Sequence, residues 1–500
     1  MSEEGIVSEG GGRKTFALVL LCCASFVAVL DLTIVAIALP SVRRELGFSG
    51  GDVQWILTGY ALSFLGFLLL MGRAGDLYGR RRLFVYGLAL FAAASLLGGL
   101  AWAPWVLVAA RLLQGVGGAA LVPASLALVA TTFEEGEERN RAMGVYGAMA
   151  GVGFVFGMVL GGVITEFLGW RWVLFVNVPV AIAVLSLAPA AIRESKDEAV
   201  PRTLDLAGAA TATLGLASLI YAVSEAPKNG WASPARLGTA GLGAVLLSLF
   251  VAAERRVSAP LVRLSIVRRR AVAVPNAAVV LKSMVGAAQL YVLTLYFQDA
   301  LGHTPLEAGL LFVPMTFASV IASSVAGRLT TQLGARRTAA SGFAISAAGL
   351  MLVASRMLLE DALTTVLLGM AVAEAGFVTA SVPLTVAATG GVGEDQQGLA
   401  SGVLSTATEF GNALGWATVA AVITAATVAS GGAPEGAVAL LSGLRWGLWS
   451  AVAFALLALM LVVVFMRPKA AVNQKFDGPS PQNERRVRLR SARRRLSCFL

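Results

Sequence analysis

Five ionisable residues stand inside long apolar runs: Asp31, Arg111, Lys282, Glu374 and Glu409. A charge at the centre of a bilayer costs roughly 2.5–3.5 kcal/mol on insertion scales, so each requires a partner, a wet cavity or a function. Buried carboxylates lend themselves to one chemistry above all. Burial disfavours the charged form and a neighbouring cation favours it, so the group can be poised to take up and release a proton. Asp31 lies nine residues before Pro40, and Arg111 lies seven residues after Pro104. At 1.5 Å per helical residue these are depths of about 13 and 10 Å, measured from ends that face the same side. Lys282, Glu374 and Glu409 each fall ten or eleven residues into their runs, near the midplane. Pairing of Lys282 with Glu374 or Glu409 is the economical expectation; direct contact with a substrate or a second proton is the alternative. Gln54, Tyr60, Gln289 and Tyr291 are candidate substrate contacts on the same kind of segment, with plain packing as the simpler reading.

The elements that hold these groups must be membrane helices. The 500 residues are 57% hydrophobic and only 14% charged, against roughly 25% charged in a soluble domain. The apolar residues come in continuous blocks that match the ~20 residues needed to cross a bilayer as a helix. Such blocks fall near 16–39, 54–71, 83–101, 104–130, 143–165, 172–191, 205–224, 236–253, 271–296, 306–326, 338–355, 362–388, 398–426 and 446–466. Lys and Arg concentrate in alternate connecting segments. With the N-terminus placed in the cytoplasm, the positive-inside rule is satisfied and both termini are expected there. Of the net charge of +10, much resides in 467–500, where ten Arg and Lys face two acids, Asp477 and Glu484. A basic tail of this kind suits anionic lipids of the inner leaflet better than nucleic acid. Cys22 and Cys23 are adjacent and Cys498 is in the tail, so no disulfide framework is expected.

An internal repeat divides the chain. GRAGDLYGRRR at 72–82 is echoed by GRLTTQLGARR at 327–337, with Gly72, Arg73, Gly79, Arg81 and Arg82 matching Gly327, Arg328, Gly334, Arg336 and Arg337. Two parallel repeats of six helices suit alternating access around a midplane site. The expected organisation is a cytoplasmic N-terminus (1–15), a six-helix bundle (16–200), two inserted helices (201–256), a second six-helix bundle (257–466) and the basic tail (467–500). A further motif, GFVFGMVLGG at 153–162, sets Gly153, Gly157 and Gly161 four residues apart on one helix face beside Gly162. Small residues at that spacing let two helix backbones touch.

Together with LDLTIVAIALP at 30–40, RLLQGVGGAALVPAS at 111–125 and WRWVLFVNVP at 170–179, these motifs resemble the major facilitator superfamily, in particular its fourteen-helix drug:proton antiporter branch. The likeness covers nearly the whole chain. It implies an all-α membrane protein of two six-helix bundles plus two inserted helices, resident in a bacterial plasma membrane. It also implies proton-coupled export of a small, lipophilic drug or antibiotic. Asp31 and Arg111 then lie on adjacent helices, with Asp31 as proton acceptor and Arg111 as its modulator; a static ion pair is the alternative. The resemblance gives Gly72, Asp76, Gly79, Arg80 and Arg81 the role of a cytoplasmic gating loop, and the 153–162 glycines that of an antiporter helix seam. Met158 stands where that seam motif carries Pro, which favours the alternative of a proton-coupled importer or uniporter of a nutrient.

Other chemistries lack their residues. There is no GxxxxGK[ST] phosphate loop, so no ATP site or other cofactor is expected. The single histidine, His303, leaves no zinc-ligand cluster and no metal site, and no catalytic constellation suggests an enzyme.

Overall fold

The computed structural model describes residues 3–49, 52–134, 136–195, 205–224, 233–256, 268–358, 362–389, 397–430 and 437–466. The basic tail, with its expected lipid contacts, lies outside the described residues. Every regular element among them is helical. In chain order these are α1 (Glu3–Leu46), α2 (Trp55–Tyr78), α3 (Arg80–Gly99), α4 (Pro104–Thr132) and α5 (Glu137–Phe167). Next come α6 (Trp172–Ala191), α7 (Leu206–Ser224), α8 (Pro234–Glu254), α9 (Arg270–Ala300) and α10 (Pro305–Leu333). The last four are α11 (Ala335–Arg356), α12 (Leu363–Thr389), α13 (Gln397–Ala429) and α14 (Ala437–Phe465). Twelve stretches are long and apolar enough to cross a bilayer; α2 and α7 contribute shorter apolar runs, Trp55–Leu68 and Ala207–Val223. The expectation of fourteen spans therefore stands at twelve, plus these two, among the described residues.

Helix packing repeats with an offset of eight helices. α1 packs on α5, α2 on α4 and α3 on α4; correspondingly α9 packs on α13, α10 on α12 and α11 on α12. The repeated loop motif is the local cause of one equivalence. Gly79 (φ 109°) and Gly334 (φ 80°) separate α2 from α3 and α10 from α11 in a backbone region that side chains disfavour. Just beyond each glycine, an arginine reaches the end of the last helix of its own half. Arg81 Nη1 donates to the carbonyls of Pro189 and Ile192, and Arg336 Nη2 donates to Val463 O at 2.5 Å. Cations at helix C-termini complement the exposed carbonyls there.

Helices α7 and α8 pack on one another, and α7 also lies against α2 and α13. The fit on α2 is close. A Cβ at Gly66 would collide with the Thr213 side chain, and the Trp55 and Tyr221 rings sit 6.0 Å apart.

Pro40 does not end the first helix. α1 continues past it to Leu46, so Asp31 lies fifteen residues from the helix end, about 22 Å rather than 13 Å. A proline deletes one backbone hydrogen bond and kinks a helix without necessarily stopping it.

The α5 glycines meet α1 directly. A Cβ at Gly153 would lie 3.0 Å from Phe26 O, and one at Gly161 would lie 3.1 Å from Ile34 Cα. At Gly157 it would strike the Thr33 side chain and come 3.0 Å from Leu30 O. Replacing Gly157 with Val should therefore destabilise the protein by about 1–3 kcal/mol, the usual cost of overpacking. Thermal unfolding in detergent checks this, and an unchanged midpoint would show that the two backbones are not in contact.

Candidate functional site

Asp31 and Arg111 are brought together by the crossing of α1 and α4. Arg111 Nη1 donates to Asp31 Oδ2 at 2.5 Å, and both side chains are wholly buried. The guanidinium is further fixed by Nε donating to Ile56 O (3.0 Å) and Nη1 to Gln114 Oε1 (2.6 Å). Its carbon lies 4.6 Å from the centroid of the Tyr60 ring, a cation–π contact that a desolvated site strengthens. Tyr60 in turn stacks on Phe64.

Three residues that the sequence reading passed over complete the cluster. Gln114 Nε2 donates to Asp31 Oδ1 and to Ser95 Oγ, each at 2.7 Å. Asn177 Nδ2 donates to Asp31 Oδ1 at 2.7 Å and reaches Ser95 Oγ at 3.4 Å. Asp31 thus accepts from three donors carried by α4 and α6, with Ser95 of α3 as the second acceptor for both amides. Asn177 opens the second segment of α6, Asn177–Ala191, which Val176 separates from Trp172–Phe175. The signals were available in outline: Gln114 follows Arg111 by three residues, on the same helix face, and Asn177 is a lone amide in an apolar run. What the chain order does not show is that both amides converge on one carboxylate.

The second group of charges behaves differently from expectation. Lys282 forms no ion pair with Glu374 or Glu409 among the described residues. Its Nζ lies 4.7 Å from the centroid of the Phe377 ring, a cation–π contact, while Glu374 stays within electrostatic reach beyond ion-pair distance. Glu374, buried, accepts from Ser319 Oγ at 2.8 Å, and Glu409, half-buried, is met by Asn412 Nδ2 at 3.5 Å. Each of the three charges has a neutral contact: a ring, a hydroxyl or an amide. Gln54 and Gln289 are buried, each with an amide oxygen that meets no donor; Gln289 Nε2 approaches Met315 Sδ at 3.2 Å. Tyr291 is buried in the main apolar core.

The repeats meet where α2 packs on α13 and α5 on α10, and several polar contacts between them lie at the end of the α1–α2 connection. Gln298 Nε2 donates to Ile37 O at 2.8 Å, Arg43 and Asp299 approach to 3.1 Å, and Glu166 Oε2 accepts from Leu306 N at 3.0 Å. A Cβ at Gly162 would lie 2.5 Å from Pro305 O, and one at Gly309 2.6 Å from Met158 O. The seam motif is therefore two-sided: Gly153, Gly157 and Gly161 face α1, while Met158 and Gly162 face α10. Gln298 and Asp299 lie in a π turn, Tyr296–Ala300, whose extra residue re-aims the side chains that follow it.

At the other end, the arginine loop binds within its own repeat. Arg80 N donates to Ser195 O at 2.8 Å, while Glu194 accepts from the backbone N–H of Arg81 (2.9 Å) and Arg82 (3.3 Å). A Cβ at Gly79 would meet the Glu194 carboxylate at 2.6 Å; around Gly72 there is open space. The side chain of Asp76 lies outside the described residues.

A buried charge that loses its partner is costly, about 3–5 kcal/mol. Arg111→Met should destabilise the protein by that order, and adding Asp31→Asn should recover much of the loss. Thermal unfolding of the two single variants and the double variant measures the coupling; strictly additive losses would show that the ion pair is not what holds this cluster.

Comparison with known proteins places this geometry in a family. The Major Facilitator Superfamily model matches residues 21–415 and, in a second match, 276–499. The Puromycin resistance protein pur8 of Streptomyces alboniger is 38% identical over 461 residues, 90% of each chain. The Cephamycin export protein CmcT of Amycolatopsis lactamdurans is 40% identical over 423 residues, 83% of this chain and 86% of its own. Among solved structures, the peptide-transporter-family protein PepTSo superposes with a TM-score of 0.67 at 15% identity, over 90% of this chain and 97% of its own. A bacterial homologue of the lysosomal transporter Spinster, inward-facing and unoccupied, gives 0.64 at 16% identity, over 91% and 98%. With its helix pairings repeated across two halves and a family match spanning most of its length, this chain belongs to the Major Facilitator Superfamily.

Proposed function

We propose that this protein exports small organic molecules, antibiotics among them, by alternating access, and that protons taken up at Asp31 drive the export. The class of cargo rests on the relatives, whose names record resistance to puromycin and tetracenomycin C and export of cephamycin. The coupling rests on one observation: a wholly buried carboxylate held by an equally buried arginine inside an apolar bundle. Two fixed charges kept there cost more than well-packed apolar residues, which argues for a working role.

In this reading the chain has fourteen spans, both termini in the cytoplasm of a bacterial cell and two six-helix bundles, 16–200 and 257–466, with 201–256 inserted between them. The end of the α1–α2 connection then faces outward. The contacts of Gln298, Arg43 and Glu166 with their partners close that side, and the cavity between the repeats opens to the cytoplasm. A substrate enters from within. Rocking of the repeats breaks the outer contacts, exposes Asp31 to the outside and releases the substrate. Protonation of Asp31 there frees Arg111 of its counter-ion, and return to the inward state delivers the proton. The relatives' names favour export over the importer alternative raised by Met158. No ATP site or other cofactor is part of the scheme, and anionic lipids are the proposed partners of the 467–500 tail.

Asp31→Asn should abolish substrate efflux driven by a pH gradient in vesicles while the purified protein remains folded; undiminished efflux would remove Asp31 from the mechanism. The outer seal has its own test. Arg43→Asp should lower efflux several-fold and raise labelling of an outer-seam cysteine, Ala38→Cys in a cysteine-free background, from outside. Exchanging the charges in Arg43→Asp/Asp299→Arg should restore both. Wild-type labelling in the single variant would show that the pair does not hold the seal.

A further inference from the structure

We infer that Asn177 is the residue that senses the protonation state of Asp31, donating to the carboxylate when it is ionised and turning its amide to accept from the acid when it is neutral. The inference rests on Asp31 as the proton acceptor and adds to that reading a partner that changes with each proton.

The observation behind it is an unsatisfied atom. Asn177 is only 1% exposed, its Nδ2 is committed to Asp31 Oδ1 and Ser95 Oγ, and its Oδ1 meets no donor. Buried acceptors are normally paired, and one left unpaired calls for an explanation. Protonation of Asp31 supplies the missing donor. The neutral acid carries one O–H in place of a lone pair, and an amide offers an acceptor on the opposite side of the same plane from its donor. Half a turn about the Cβ–Cγ bond exchanges the two, so one side chain can serve both states without moving its helix.

The other partners of Asp31 are less able to do this. Gln114 is engaged at both ends, donating through Nε2 to Asp31 and Ser95 and accepting at Oε1 from Arg111. Turning it would set its NH2 group against the guanidinium. Arg111 has donors alone and can only lose its anion. Ser95, wholly buried, already lies within reach of the Asn177 amide and can donate its hydroxyl hydrogen to the Asn177 oxygen once that amide turns. The charged or titratable groups around Asp31 are Arg111 from α4 and Tyr60, whose ring lies against that guanidinium, from α2. Glu409 of α13 lies within electrostatic reach of Tyr60. From α3 comes neutral Ser95, from α5 the bare backbone of Gly157 against Leu30 and Thr33, and from α6 Asn177 itself. Asn177 opens the second segment of α6, directly after Val176 where the first segment ends.

The test is infrared difference spectroscopy of the purified protein in lipid as pH is changed, with 13C-labelled asparagine. The Asp31 acid band is assigned by its loss in Asp31→Asn, and the Asn177 amide band by its loss in Asn177→Ser. The expected result is an Asn177 amide shift that titrates with the same midpoint as the Asp31 acid band. An Asp31 band without any Asn177 shift would overturn the inference and leave Asp31 as proton acceptor. Absence of an Asp31 band would overturn the acceptor reading, and this one with it. In vesicles, Asn177→Leu should lower proton-driven efflux about tenfold at unchanged substrate affinity, the size expected for one hydrogen bond to a charged group. Asn177→Ser, whose hydroxyl both donates and accepts, should stay within about threefold of the natural protein on the same footing. Equal efflux in the Leu and Ser variants would reduce Asn177 to a space-filling role.

Discussion

The Asp31–Arg111 contact is the constraint around which the first repeat is organised. Two opposite charges have been taken out of water, and neither is tolerable there without the other. Three further demands follow from that burial. The second carboxylate oxygen needs donors, which Gln114 and Asn177 provide; those amides need a second acceptor, which is Ser95; and the guanidinium needs cover, which is the Tyr60 ring and the carbonyl of Ile56. One ion pair thereby ties α1, α2, α3, α4 and α6 to a common centre. Paired members of such a buried network rigidify the surrounding core, while Arg111 Nη2 and Asn177 Oδ1 are left without a hydrogen-bond partner.

The second repeat copies the helix packing but has no such centre among its described residues. Gly411 and Gly415 of α13 press on α9 at Ser283 and Met284, as the α5 glycines press on α1. Gly342 of α11 lies against the backbone of α12 at Ala380, just as Gly117 of α4 lies against Phe91 of α3. Its charges are dispersed instead: Lys282 over Phe377, Glu374 with Ser319, Glu409 beside Asn412. Helix geometry is thus shared by the two halves and charge chemistry is divided between them.

The contacts between the halves are of another kind again. Backbone touches backbone at Gly162 and Gly309, and the polar contacts there are few and peripheral. Small residues permit close approach without interlocking side chains, so a seam of this sort can part and re-form.

The apolar blocks, the repeat from 72–82 to 327–337 and the glycine spacing at 153–161 were legible in the chain because each is local: one helix, one turn or one helix face sets it. The opposite charges of Asp31 and Arg111 were legible for a different reason, since hydrocarbon leaves an isolated ion no alternative to a partner. Where the environment offers several partners, local pattern loses its force. Lys282 lies over an aromatic ring with no glutamate at ion-pair distance, and α1 runs through Pro40 without ending. Only folding brings Ser95, Gln114 and Asn177 to one carboxylate, because three helices must cross before their polar atoms share a volume. The same holds for the closure of one end by Arg43, Glu166 and Gln298. The linear pattern of apolar and charged residues decides what must be buried; the packing of helices decides which buried groups can reach one another, since hydrogen bonds act over about 3 Å and chain order places no residue that finely.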